Sequence, residues 1–334
     1  MFDEVLRMSD VVTENPLNRH VSWDGLEHDV TPTGEFFCRN HNEFPVPPTE
    51  LDWAGTSLTV KDLAAFPQVE YLITLECAGN GRTEFHPVPR GTPWGIRGLS
   101  TGRFRGVSVE TLLKAVPPTQ GTEHVIFRGA DVGQDGLYER SLSLEEIHHH
   151  HAFVALQMNG RALPPQHGAP FRLMVPNYFA MTSVKWLCQA AYSPTPSTGY
   201  YQVEDYLVDY QDGTPVRPAT VMKPKSILVS PSEGEAVRGL VTVRGKAWTG
   251  EGEISGVELS VRGAGLEKLV QAQLGDDLGP FAWRSFHCEL TLAAGAYSVA
   301  SHCLSGEERQ PEAARWNAQG YENNSAHRVA FQVV

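Results

Sequence analysis

Residues 193–224 form a Pro- and Tyr-rich connection, and the patterning of the chain differs on its two sides. Pro194, Pro196, Pro215, Pro218 and Pro224 punctuate it, so neither helix nor strand can run far there. After it, residues 226–334 show period-two runs such as Val257-Glu258-Leu259-Ser260-Val261 and Val329-Ala330-Phe331-Gln332-Val333, separated by Gly-containing turns. About 110 residues of this kind predict a β-sandwich of the immunoglobulin-like sort. Before it, short strands and helices alternate. Val69–Glu76 and residues 125–128, 171–175 and 183–187 read as strands. Residues 109–116 read as a helix, started by Ser108 and stopped by Pro117-Pro118, and Ser143-Leu144-Glu145-Glu146 fits a capping box. No regular βαβ repeat appears, so the class is α+β rather than a doubly wound sheet. Residues up to about 35 form a leading segment punctuated by Pro16, Pro32 and Gly34. A chain of 334 residues suits two cores, which we place at 1–220 and 221–334.

The net charge of −12 argues against nucleic acid as a partner, although local arginines still permit a small anionic substrate. No run reaches the ~18 apolar residues of a membrane span, and Met1 to Asp10 lacks a charged-then-apolar secretory pattern. A cytoplasmic location is the expectation, with a periplasmic one open if an export signal has been removed. The five cysteines (Cys38, Cys77, Cys188, Cys288 and Cys303) are scattered and contain no Cys-x-x-Cys, which disfavours a disulfide framework or a structural zinc site.

Three clusters carry candidate chemistry. In Tyr71-Leu72-Ile73-Thr74-Leu75-Glu76-Cys77-Ala78-Gly79-Asn80-Gly81-Arg82, an apolar strand delivers one thiol to a Gly-rich turn. Most free cysteines simply pack as small hydrophobes. Here the glycines let backbone approach a ligand, and Arg82 would stabilise a thiolate or an anion. In Phe37-Cys38-Arg39-Asn40-His41, a guanidinium, an amide and an imidazole lie within three positions, and on a strand Arg39 and His41 would share a face. Each is also an ordinary residue of a solvated loop. His167-Gly168-Ala169-Pro170-Phe171-Arg172, followed by Lys185, places cations and donors at separate strand ends, as a phosphorylated cofactor would require.

Taken in order, Phe37-x-Arg-Asn-His41, Cys77-Ala-Gly-Asn80, Met158-Asn-Gly160, Pro164-x-x-His-Gly168 and Val184-Lys-Trp186 resemble the motifs of sulfite oxidases and their eukaryotic nitrate-reductase relatives. Residues 317–329, with Asn323-Asn324 and His327-Arg328-Val329, look like the ending of that family's dimerisation domain. The resemblance runs from about Phe36 onward. It implies a mixed α/β molybdopterin-binding domain followed by a dimerising sandwich, hence a homodimer. It implies molybdenum held by molybdopterin and by the Cys77 thiolate, a soft donor suited to that metal. Phe37, Arg39, Asn40, His41, Asp131, His167, Arg172, Ser183 and Lys185 match positions that line or grip the cofactor. Arg39, Arg82, Trp94 and Tyr138 match substrate-side positions, and Arg284 is placed where some relatives send an arginine from the second domain. The implied reaction is oxidation of sulfite to sulfate by oxygen-atom transfer.

Relatives in animals and plants carry arginine where this chain has Gly81, a change expected to weaken the pocket's positive field or reshape its rim. No Cys-x-x-Cys-His and no cytochrome-like N-terminal region is present, so no haem is expected and the electrons would pass to an external acceptor such as a cytochrome. Nitrate, another small oxyanion or an S-oxide is an alternative substrate, and a non-catalytic binding protein that keeps the fold is a different class of reading. The run His148 to His151 is expected to be exposed and incidental rather than a metal site.

Overall fold

The computed structural model describes residues 10–334; the N-terminal reading above, apart from Asp10, falls outside the described residues. The first domain runs β1 (Leu51–Trp53), β2 (Thr56–Leu58), α1 (Val60–Ala65), β3 (Val69–Glu76), β4 (Leu99–Ser108), α2 (Val109–Ala115), β5 (His124–Gly133), β6 (Gly136–Ser143), α3 (Leu144–His149), β7 (Phe153–Met158), β8 (Arg172–Met174) and β9 (Leu187–Ser193). One sheet has the order β7-β4-β3, extended by Arg161–Ala162 and by β8, which both pair with β7. The other has the order β2-β1-β9-β5-β6, in which only β9 and β1 run parallel. Mostly antiparallel pairing with short helices is the α+β arrangement expected.

The helices begin where side-chain caps satisfy their free N–H groups. Ser108 caps α2 and accepts from the Thr111 N–H at 3.1 Å. Ser143 and Glu146 form a reciprocal capping box on α3. Residues 183–186 are not the strand expected. They form an irregular link before β9, because Trp186 takes a left-handed φ of 47° and its N–H turns to the Gly168 carbonyl. β5 extends past residue 128 to Gly133.

The second domain runs β10 (Lys225–Ser230), β11 (Val241–Trp248), β12 (Ile254–Gly263), β13 (Leu266–Gln271), β14 (Arg284–Leu290), β15 (Gly295–Ser305) and β16 (His327–Val333). One sheet is β10-β11-β14 with Gln273–Leu274 at its edge, and the other is β16-β15-β12-β13 with Ala236–Val237 beside β16. Alternating residues such as Val241, Val243, Val257, Leu259, Val261, Val299 and Phe331 fill the space between them.

The domains share buried surface. Ile227, Trp248, Phe281 and Trp283 of the second belong to the first domain's core. β3 shows the effect. Its last four residues, Ile73, Thr74, Leu75 and Glu76, are all buried, because the sandwich covers the face that would otherwise meet water. The Thr74 N–H donates to the Phe281 carbonyl at 2.8 Å, and the Trp283 N–H donates to Thr74 Oγ1 at 2.7 Å. Ile73 and Leu75 pack into the first domain, and alternation sends Thr74 and Glu76 toward the second. Among the described residues no helix is long and apolar enough to cross a membrane.

Candidate active site

Cys77 follows the last residue of β3 and begins a tight turn. Its N–H donates to the Gly98 carbonyl at 2.8 Å, and its carbonyl accepts from Asn80 N–H at 2.9 Å. The turn closes through Gly81, whose φ of 86° is left-handed and suits glycine. The thiol is buried and free of any disulfide. Burial pushes its pKa up, while the nearby Arg39 and Arg82 guanidiniums and the Gly79 N–H pull it back.

Cys77 stands on the common wall of two cavities. The first is walled by aromatic and polar side chains that include Phe37, Arg39, Asn40, His41, Asp131, Tyr138, His167, Arg172, Ser183 and Lys185. Lys185 Nζ bonds Asn40 Oδ1 and donates to the Gln166 carbonyl at 3.2 Å, and it sits 4.3 Å from the Trp186 ring centre. Arg172 donates one guanidinium N–H to the His167 carbonyl at 3.3 Å. Burial lowers the pKa of Arg172 to about 10 and that of Lys185 to about 8. Among the described residues neither cation, nor Arg39, has a carboxylate within ion-pair distance. Asp131, the one carboxylate on this wall, is instead held by Asn42 at 3.3 Å, and burial raises its pKa. Arg172 Nε, His167 Nε2 and Thr182 Oγ1 are buried without partners. Buried cations and donors left unpaired are costly unless an anionic acceptor meets them. The cavity therefore suits an anionic group with a partly apolar body.

His41 forms a close hydrogen bond to the Tyr206 hydroxyl, and burial followed by the Arg39 and Lys185 charges keeps it neutral. Tyr138 donates to the Met181 carbonyl at 2.6 Å, and burial raises its pKa above the usual phenol value. Ser183 Oγ accepts from the Val175 N–H at 3.1 Å.

The second cavity is a cleft of about 380 Å³ that opens to solvent, with Arg82, Arg90, Trp94, Tyr206 and Tyr321 on its walls beside Arg39 and Cys77. Arg82 is fixed from three sides. Its Nε donates to the Gln319 carbonyl at 2.9 Å, its Nη1 to the Thr92 carbonyl at 2.7 Å, and its guanidinium lies 5.2 Å from the Tyr321 ring centre. Glycine is required around it: a Cβ at Gly79 or Gly91 would stand 2.9 Å and 2.6 Å from its guanidinium nitrogens. Trp94 is fully buried, with its Nε1 unpartnered. The cleft can thus hold a small anion between two guanidiniums, next to the thiol.

The structure brings together every expected site residue except one. Tyr138 lies on the first cavity rather than in the arginine cleft. Arg284 reaches neither. On β14 it pairs in register with Ala247 and donates to the Gly275 carbonyl at 2.7 Å, which turns it into the sandwich's own hairpin. The second domain contributes Gln319 and Tyr321 to the cleft instead, from the loop before β16. Gly81 also differs from expectation. A Cβ there would meet Asn323 of the second domain at 3.4 Å, and Gly81 lines an interdomain cleft rather than the one with Cys77. A side chain at this position would start toward Asn323 and the interdomain cleft. In the histidine run, His150 is buried, its ring centre 4.3 Å from that of Tyr178, while the other three are exposed. No cluster of three or more metal-ligating side chains occurs among the described residues. Sequence reasoning missed Gln166, Tyr206 and Tyr321; the tyrosine richness of the connection was the available signal for Tyr206.

Residues 50–201 match the oxidoreductase molybdopterin binding domain family, and residues 217–334 match the Mo-co oxidoreductase dimerisation domain family. The chain is 34% identical over 361 residues to sulfite oxidase from Gallus gallus, covering 95% of this chain and 76% of that one. It spans 62% of the length of the mammalian mitochondrial sulfite oxidases it matches. A nitrate reductase from Beauveria bassiana is 35% identical over 185 residues, 51% of this chain and 21% of the reductase. Among solved structures, the sulfane dehydrogenase SoxCD from Paracoccus pantotrophus superposes with a TM-score of 0.83 over 98% of this chain and 86% of that one, at 24% identity, a likeness of fold.

Proposed function

Because the chain belongs to the sulfite oxidase family of molybdopterin oxidoreductases, we propose that it oxidises a small sulfur oxyanion, sulfite first, and passes the electrons to an external acceptor such as a cytochrome. The observation that carries this reading is the position of Cys77 between a cavity of uncompensated cations and a cleft of arginines. The first cavity fits molybdopterin. Its orphaned His167 Nε2 and Arg172 Nε, with Lys185, are donors awaiting an anionic acceptor, and Cys77 is the soft donor beside them. A molybdenum centre held there would supply oxygen-atom transfer and two-electron redox chemistry.

The chain's own residues bind and orient. Asn40, His167, Arg172 and Lys185 would hold the cofactor's anionic groups, with Phe37, His41, Asp131 and Ser183 along the wall. Arg39 and Arg82 attract the substrate against a whole-protein charge of −12 and keep it beside Cys77. Arg82 needs no rearrangement to do so, since its contacts to Gln319, Thr92 and Tyr321 fix it beforehand. Trp94 closes the wall. Tyr138 keeps its proton at neutral pH and offers an oriented hydroxyl oxygen. The sandwich, residues 221–334, serves as the face of a homodimer with twofold symmetry.

Molybdenum content measured together with sulfite-dependent reduction of ferricyanide or cytochrome c tests the reading. We expect molybdenum in the purified protein and turnover with sulfite. A folded protein without molybdenum, made in cells that synthesise the cofactor, overturns it. A second reading keeps the cofactor and changes the substrate to nitrate, another small oxyanion or an S-oxide. The 35% identity to the Beauveria bassiana nitrate reductase over 185 residues favours it. Inactivity with sulfite alongside reductase activity would select it.

A further inference from the structure

We propose that the second domain completes the support of the Cys77 turn, with Lys225, Trp248 and Asn323 acting as positioning residues for the thiol. The inference rests on the reading of Cys77 as the metal-holding group. Glu76 precedes it, and its carboxylate is buried at 2% exposure. That carboxylate accepts from Lys225 Nζ at 2.9 Å, from Trp248 Nε1 at 2.8 Å and from Asn80 Nδ2 at 2.9 Å. Lys225 and Trp248 stand at the two facing ends of β10 and β11, paired in register, so one ladder rung of the sandwich presents both donors. Lys225 Nζ also lies 3.3 Å from the Asn80 carbonyl.

The rest of the turn is held from the same side. The Glu322 N–H donates to the Ala78 carbonyl at 2.9 Å, and Asn323 Nδ2 donates to the Gly81 carbonyl at 2.7 Å. Glu76, Ala78, Asn80 and Gly81 therefore each contact the second domain, two of them within one residue of Cys77. The first domain holds the opposite edge through Gly98, which accepts from Cys77 N–H and donates to Asn80 Oδ1, both at 2.8 Å. The direction of a side chain follows the backbone dihedrals around it, so clamping residues 76 and 78 fixes where the sulfur points. A buried ion pair is a poor route to stability, because desolvation offsets its attraction, but a carboxylate that accepts three hydrogen bonds is restricted to one geometry. The exposed interdomain pair of Arg244 with Glu27 has no such setting.

The test uses the full chain, prepared with and without cofactor, as Lys225→Met, Asn323→Ala and the combined Glu76→Gln/Lys225→Met. In cofactor-free protein, the rate of Cys77 alkylation by iodoacetamide is compared with that of Cys38, a buried cysteine whose hydrogen bonds stay within the first domain. In loaded protein, molybdenum per chain and the thiolate-to-metal absorption band are recorded. Lys225→Met is expected to raise the Cys77 rate and lower metal retention about 10-fold or more, with Cys38 changed less than about twofold. The absorption band should shift. The combined variant should recover much of each effect, because it removes the orphaned carboxylate. A Cys77 rate unchanged in both single variants, or Cys77 and Cys38 rising together, overturns the proposal. Should Lys225→Met fail to fold, Asn323→Ala, which removes the hydrogen bonds to the Gly81 carbonyl and from the Ser325 N–H but no charge, decides by the same readouts. A wild-type chain without molybdenum would refute the functional reading, while the alkylation comparison would still decide this one.

Discussion

At the scale of single residues, three positions have separable roles. Cys77→Ser keeps the size and burial of the group but loses the soft donor. It should remove molybdenum and turnover and leave the thermal midpoint within a few degrees, measured by metal analysis and a melting curve. Full activity in that variant would refute the ligand role. Tyr138→Phe removes the hydrogen bond to the Met181 carbonyl and leaves that acceptor buried. The expected cost is about 1–2 kcal/mol of stability with slowed turnover. Molybdenum content should stay the same; its loss would contradict the assigned role. Gly81 tests where a side chain at that position goes. Its left-handed backbone penalises any Cβ by about 1–2 kcal/mol, and the new atoms would head toward Asn323. Gly81→Arg should therefore lower stability in denaturant titration and leave KM for sulfite nearly unchanged. A tightened KM at unaltered stability would instead place the arginine in the substrate cleft.

At the scale of elements, β16 carries a pH sensitivity. His327 accepts from the Leu228 N–H through Nδ1 at 2.9 Å, tying β16 to β10 across the sandwich. Burial, then the nearby Lys225 charge, lowers its pKa to about 4. Between about pH 6.5 and pH 4 the unfolded chain binds a proton that the folded chain does not. Stability is therefore lost as pH falls through that window, approaching roughly 3 kcal/mol for a fully shifted histidine. Urea titrations from pH 7 to pH 4 should show the loss, and His327→Gln should flatten part of it; an equal slope in the variant would sink the assignment. His20, lowered to about 4 by burial, and His41, His150, His167 and His302, also lowered by burial, contribute in the same direction and leave a slope in the variant. The elements that the sequence made legible are those with local causes. The capped starts of α2 and α3 and the β-branched run of β3 need only neighbouring residues to be read. Residues 183–186 alternate like a strand, yet Gly168 and β8 draw their hydrogen bonds away, which no local pattern records. The site was legible to the same degree. Cys77 could be read at a strand end, but Lys185 meets Asn40 across 145 positions of chain, and only the ordered family motifs pointed to that meeting. Arg284 was misplaced because the register of β14 against β11, not its position in the sequence, decides which way it points.

At the scale of the whole molecule, the two domains should unfold as one. The sandwich inserts Trp248, Phe281 and Trp283 into the first domain's core, and β3 passes its last four residues through the shared interface. Polar contacts repeat the connection. Lys246 pairs with Asp29 at 3.0 Å, the Trp283 indole donates to the Asp29 carbonyl at 2.9 Å, and the buried Lys225–Glu76 pair spans 2.9 Å. Separating the domains would strand Glu76 without Lys225 and Trp248, and it would expose three large aromatic side chains. Each of those burials is worth about 1.5–3 kcal/mol, a sum that reaches the range of a whole domain's stability, while the ion pair adds little because both of its charges would regain water. Neither unit therefore gains by opening alone. Urea unfolding followed by tryptophan fluorescence and by far-ultraviolet circular dichroism should give coincident midpoints, and calorimetry should give one peak with matching van't Hoff and calorimetric enthalpies. Lys225→Met should move that single transition to lower denaturant without splitting it. Two resolved transitions in the unaltered chain would mean that the interface is weaker than its buried contacts imply, and that the sandwich can leave the Cys77 turn while the first domain stays folded.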